Sequence, residues 1–209
     1  MRYRPFVLSA TRLLIALIAI ASLVGCSKVA KLGKLDANAT VLAFGDSLTF
    51  GSGANSDQSY PAVLQGLIGR NVVAAGVPGE PSAEGLARLP AVLDEVKPQL
   101  LILCHGGNDF LRKLGDANAA ANVRAMVKLA RDRGVEVVLM ATPKPDLSLS
   151  TPAFYADIAA EFRIPFEEGV LKTVLANNAY KSDLVHPNAQ GYARIATALA
   201  DLLKKAGAL

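Results

Sequence analysis

Residues 99–109 read Gln-Leu-Leu-Ile-Leu-Cys-His-Gly-Gly-Asn-Asp. Gln99–Cys104 carries no charge and stops at glycines and an Asn-Asp pair. A short, uniformly apolar run bounded by turn residues predicts a strand buried on both faces, as in a parallel sheet. The same form recurs along the chain. Thr40–Phe44 (TVLAF) runs into Gly45-Asp46-Ser47-Leu48, and Asn71–Ala75 (NVVAA) into Gly76-Val77-Pro78-Gly79-Glu80. Val135–Ala141 (VEVVLMA) runs into Thr-Pro-Lys-Pro, and Ile164–Phe166 is a short fifth candidate. Between these runs the apolar period lengthens to that of a helix. Leu86–Val96 is one such stretch. Ala117–Arg133 is another, with Gly134 suited to end it. Asn188–Lys205 is a third, with Asn188 as its cap. Strand and helix in alternation imply an α/β fold, a three-layer αβα sandwich around a mostly parallel five-stranded sheet. No internal repeat interrupts it, so residues 39–209 form one domain.

Composition narrows the partners. The net charge is +4, but three of the 22 basic residues, Arg2, Arg4 and Arg12, fall in residues 1–25, which contain no acid. The remainder has 19 basic and 18 acidic residues. That balance lacks the basic face of a nucleic-acid binder. Tryptophan is absent and aromatics are only 6%, which argues against stacking platforms for single strands. The two cysteines, Cys26 and Cys104, and two histidines, His105 and His186, are too scattered for a structural zinc site. No metal and no cofactor are expected, and a disulfide scaffold is excluded by count.

The amino terminus reads as an export signal. Leu13–Val24 is an apolar run of 12 residues, too short for a spanning helix of about 20. It ends Leu23-Val24-Gly25-Cys26, which resembles the bacterial lipobox. That resemblance implies a signal peptide over 1–25, a lipid on Cys26, and a tether over 26–38. It also implies a periplasm-facing lipoprotein of the cell envelope, with Ser27 pointing to the outer membrane. An ordinary cleaved signal or an uncleaved anchor are the alternatives.

Sites in open α/β sheets form outside the carboxyl ends of the strands. Every polar cluster above lies there, and Asp183-Leu184-Val185-His186-Pro187 precedes the last helix. Together they supply a hydroxyl, a glycine amide, a side-chain amide and an Asp/His pair, the components of acyl transfer. Ser47 is either a nucleophile or a helix-capping serine. It does not lie in G-x-S-x-G, because position 49 is Thr49. His186 is three residues beyond Asp183, close enough for the carboxylate to orient its ring. His105 is the rival base, with no acid at comparable spacing. Asn108 is an oxyanion donor or an Asn-Asp turn residue. Gly79 offers a backbone N–H or is simply a turn glycine. Asp46 and Asp109 are expected to accept hydrogen bonds that shape the site, and Cys104 to be buried and inert. Gly51-Ser52-Gly53 is not a phosphate loop, since no Lys-Ser/Thr follows.

Gly-Asp-Ser-Leu, the glycine of the second block, Gly-x-Asn-Asp and Asp-x-x-His occur in order. In this the chain resembles the GDSL/SGNH hydrolases, and most closely their bacterial arylesterase and thioesterase/lysophospholipase branch. Gly79-Glu80-Pro81-Ser82 running into Gly85–Pro90 is similar to that branch's second block. The resemblance implies Ser47 as nucleophile and Asp183 and His186 as the rest of a triad. It implies an oxyanion hole from Ser47, Gly79 and Asn108. Relatives often carry an acid where this chain has His105. The implied activity is a cofactor-free serine esterase or lipase acting, as a monomer, on small-molecule or lipid esters or thioesters. Alternatives are a carbohydrate O-acetyl esterase and a binding module without turnover. Val77–Ser82 and Thr142–Thr151 are the expected pocket walls, and Leu147 and Leu149 favour an acyl chain.

Overall fold

The computed structural model describes residues 29–209. The predicted signal segment and Cys26 lie outside the described residues. The strands are β1 (Thr40–Gly45), β2 (Asn71–Gly76), β3 (Leu100–Cys104), β4 (Glu136–Met140) and β5 (Phe166–Glu167). All pair in parallel, in the order β2-β1-β3-β4-β5. The helices are α1 (Ser47–Phe50), α2 (Tyr60–Ile68), α3 (Ser82–Val96), α4 (Gly107–Leu111), α5 (Asp116–Asp132), α6 (Phe154–Phe162), α7 (Val170–Ala176) and α8 (Ala189–Ala206).

The apolar runs lack alternation because each strand feeds two cores. Val41, Ala43, Leu100, Ile102, Val138 and Met140 pack with α2, α7 and α8. Leu42, Phe44, Leu101, Leu103, Val137 and Leu139 pack with α3, α5 and α6. This is the expected αβα sandwich. One expectation is corrected: β2 is an edge strand and only partly buried, although its sequence is as apolar as the others.

Two helical features went beyond the sequence reading. Helix α2 was not anticipated, yet it buries Tyr60, Leu64 and Ile68 at four-residue spacing and ends at Gly69 with φ 61°. Helix α3 starts four residues before Leu86, because Asp109 of α4 caps it. Its Oδ2 accepts from the Ser82 N–H at 2.7 Å and its Oδ1 from the Ser82 hydroxyl at 2.6 Å. Asn188 caps α8 as expected, accepting from the Gly191 N–H at 3.1 Å. The described part of the expected tether, residues 29–38, is not free. Leu32 donates to the Ala206 carbonyl and Leu35 to the Ala208 carbonyl, and Leu35 is buried. Its apolar residues pack as a strap on the end of α8, because the two leucines complete the core beside Leu202 and Leu203.

Candidate active site

The chain leaves β1 with β2 on one side and β3 on the other, the topological switch point where such sheets bind ligands. Ser47 follows β1, Gly79 follows β2 and Asn108 follows β3. The loop before α8 delivers His186 and Asp183 to the same place.

Asp46, not Ser47, caps α1: its Oδ1 accepts from the Leu48 N–H at 3.0 Å. The Ser47 hydroxyl is thereby left to meet the His186 Nε2 at 3.0 Å. On the far side of the ring, Nδ1 lies 2.7 Å from Asp183 Oδ2. Asp183 Oδ1 also accepts from the Val185 and His186 N–H groups, both at 2.8 Å. This Asx-type turn ties carboxylate and ring into one rigid loop. Only one tautomer serves both contacts: Nδ1 carries the proton and donates to Asp183, and Nε2 turns a lone pair to Ser47. Desolvation pulls the Asp183 carboxyl up, but bonds from the His186 ring and the two amides outweigh it and hold it below its ordinary value. The pair is open to solvent, with His186 23% and Asp183 54% exposed.

Asn108 is buried. Its Nδ2 lies 3.2 Å from Asp46 Oδ2 and 3.2 Å from the Glu80 carbonyl. Both neighbours are acceptors, so the amide's NH₂ end must face them. Both contacts are at the long end for N–H···O bonds, and between them they engage both N–H donors of the amide, so one of them must be shared with, or given up to, an incoming oxygen. Gly79 sits at φ 79°, where a side chain would be strained, and its carbonyl accepts from Arg112 Nη2 at 2.5 Å. Among the described residues the Ser47 and Gly79 amides donate to no protein acceptor. Asp46 and Asp109 are buried acceptors; burial pushes the Asp46 carboxyl up. Cys104 is buried too, 3.6 Å from the Thr142 hydroxyl, and burial pushes its thiol up.

His105 lies elsewhere. It is fully buried, under Gly85, where any side chain would strike its ring. Its Nε2 lies 3.1 Å from Glu80 Oε2, so the ring has an acid partner, though none at the short spacing of Asp183 and His186. The acid arrives from 25 residues upstream, through the fold rather than through local spacing. Nδ1 accepts from the Gly106 N–H at 3.2 Å, leaving Nε2–H to donate to Glu80. Arg88 completes the cluster with two 2.8 Å bonds, from Nε to Oε1 and from Nη2 to Oε2. Desolvation would raise the Glu80 carboxyl, but Arg88 and His105 hold it down at about 2. Sequence reasoning assigned no role to Glu80 or Arg88; their eight-residue spacing was the available signal.

A pocket of about 230 Å³ opens over Ser47, Gly79, Asn108 and His186. Pro78 and Gly79 line it from the first expected wall, and Thr142–Pro145 and Leu149 from the second. Leu111, Leu175 and Leu184 add apolar surface that the sequence did not reveal. The pocket continues into a wider groove past Leu147, edged by Lys113, Lys172 and Lys181.

Residues 43–194 match the GDSL-like Lipase/Acylhydrolase family. Esterase TesA of Pseudomonas aeruginosa is 38% identical over 126 residues, 58% of this chain and 63% of that protein. That match thus spans less than two thirds of the relative's length. Thioesterase 1/protease 1/lysophospholipase L1 of Escherichia coli K12 is 29% identical over 79% of this chain and 83% of its own. A crystal structure of TesA superposes with a TM-score of 0.70 at 30% identity, covering 79% of this chain and 98% of that one.

Proposed function

The chain belongs to the GDSL-like lipase/acylhydrolase family, and from that premise we propose that it is a serine esterase using a Ser47–His186–Asp183 triad on acyl esters or thioesters. The observation that carries this reading is the unbroken line Ser47 Oγ, His186 Nε2, His186 Nδ1, Asp183 Oδ2, with contacts of 3.0 and 2.7 Å. Ser47 attacks the substrate carbonyl as His186 Nε2 removes its proton. The oxygen that becomes negative accepts from the Ser47 and Gly79 N–H groups and from Asn108 Nδ2. His186 then protonates the departing alcohol or thiol, leaving an acyl group on Ser47. Water repeats the sequence, giving its proton to His186 and releasing the acid. Asp183 keeps the ring in the required tautomer and stabilises its charged form.

The apolar lining by Leu111, Leu149, Leu175 and Leu184 supports an acyl chain over an acetylated sugar. Hydrolysis of p-nitrophenyl esters from acetate to palmitate tests this. Rates that rise beyond acetate support the acyl reading; a rate confined to acetate returns the choice to an O-acetyl esterase, and no turnover rejects both.

We also propose that Cys26 is lipidated and tethers the enzyme to a membrane of the cell envelope, on the strength of Leu23-Val24-Gly25-Cys26 after a basic, apolar leader. Mass spectrometry of the native protein should find an acylated amino-terminal cysteine. An intact Met1, or a terminus at another residue, rejects it. Monomeric action is part of the same reading, since every group in the line comes from one chain.

A further inference from the structure

The strap described above places the anchor as well as the core. Leu32 N–H donates to the Ala206 carbonyl at 3.0 Å, Leu35 N–H to the Ala208 carbonyl at 2.9 Å, and Lys31 Nζ to the Lys205 carbonyl at 2.9 Å. Val29 and Leu32 pack against the same core. The chain is therefore fixed to the body of the protein from Val29 onward, at the carboxyl end of α8.

The candidate active site lies at the other end of that helix. His186 stands two residues ahead of Asn188, the N-cap. The 18 residues of α8, at about 1.5 Å each, separate the two ends by about 27 Å. Lipidated Cys26 would be three backbone steps from Val29, a reach of about 10 Å at most. The anchor thus cannot swing round to the mouth while the strap stays docked.

Resting on the lipidation of Cys26, we propose that the anchor holds the α8 carboxyl-terminal pole against the bilayer and turns the active-site mouth away from it. Charge complements this placement. Lys31, Lys34, Lys204 and Lys205 are exposed at that pole, against exposed Asp36 and Asp201. A surplus of lysines within a Debye length of anionic headgroups favours contact. The consequence bears on substrate. An acyl chain in the leaflet beneath the anchor lies in a half-bilayer about 15 Å deep. It would have to leave the leaflet altogether and rise about 27 Å to meet Ser47. The substrates are therefore esters and thioesters that arrive from the aqueous side, dispersed or on a soluble carrier, and not lipids resident in the enzyme's own leaflet.

Two single-cysteine labels test the orientation in the full, lipidated protein. The Cys26 sulfur is taken by lipid, and the Cys104 thiol is buried. A fluorophore can therefore be confined to Lys204→Cys at the proposed membrane pole, or to Leu184→Cys at the exposed mouth. Each variant is reconstituted into phosphatidylethanolamine/phosphatidylglycerol vesicles bearing nitroxide-headgroup lipid. Quenching several-fold greater at position 204 than at 184 supports the orientation. Equal quenching, stronger quenching at 184, or none at either site on floated vesicles overturns it. Failure of the protein to float overturns both this inference and the lipid anchor. Hydrolysis of a soluble p-nitrophenyl ester by the vesicles labelled at position 204, away from the pocket, reports on the esterase reading separately.

Discussion

The molecule holds two histidine–carboxylate pairs, and only one of them faces a hydroxyl. Asp183–His186 stands on a surface loop, with a 2.7 Å contact and a ring edge turned to Ser47. Glu80–His105 is sealed inside, 5% and 0% exposed, and closed at its other end by Arg88. The acid does not distinguish them, since both rings have one. The second ring nitrogen does. On His186 it meets the Ser47 hydroxyl, whereas on His105 it accepts from the Gly106 N–H. A base must present a free lone pair to the proton it takes. His105 has none to present, and its pair serves instead to hold the Gly79–Glu80 loop to the end of β3.

The largest effects should break this contrast on the His186 side. Ser47→Ala and His186→Ala should each lower kcat by roughly 10⁴–10⁶, and the double variant little further. Asp183→Asn should cost a comparable or smaller factor, because the carboxylate orients the ring without taking its proton. Fluorophosphonate should label Ser47, fail in His186→Ala and persist in His105→Ala. The opposite behaviour of the two histidines would overturn the assignment.

A middle-sized effect belongs to Asn108, which joins the two regions by donating to Asp46 on one side and to the Glu80 carbonyl on the other. Asn108→Ala should lower kcat by roughly 10²–10³ with a modest change in KM. Full kcat would reduce Asn108 to a turn residue.

On the buried side, stability should fall more than chemistry. His105→Ala should keep kcat within about tenfold, equivalent to about 1.4 kcal/mol of barrier. It leaves a void beneath Gly85 and removes a partner from Glu80, a loss of about 2–3 kcal/mol. Thermal unfolding should then move down by roughly 5–10 °C. A kcat that collapses while the melting temperature holds would assign His105 to the reaction.

The smallest effect is a matter of pH. Glu80 is held at about 2 in the folded chain, below its ordinary 4.5. A carboxyl lowered by folding stabilises the native state above its unfolded value, and that contribution drains away as pH falls through the folded one. The wild type should lose stability between about pH 4.5 and 2 on this account. Denaturant titrations of Glu80→Gln should show a shallower decline there. Identical slopes would mean that Arg88 and His105 do not favour the charged carboxylate.

Legibility followed the range of the interactions. Asp183 and His186 could be paired from the sequence because three residues separate them and an Asx turn closes that gap locally. Asn188 was legible as a cap for the same reason. Glu80, Arg88 and His105 were not, since 25 residues and a strand crossing lie between the acid and the ring. The start of α3 was missed because its cap, Asp109, lies 27 residues away. Helix α2 is different: its four-residue spacing and closing glycine are local signals and stand in the sequence itself.

The sequence by itself determined the α/β alternation and the four polar blocks at strand ends, because hydrophobic period and turn chemistry act over a few residues. Tertiary structure decided which strand became the half-exposed edge, which carboxylate reached His105, and where residues 29–38 came to rest. Each of those depends on what packs against a surface from elsewhere in the chain. Val72 and Val73 on β2 read like Val137 and Val138 on β4, and only their neighbours across the sheet make one pair partly exposed and the other buried.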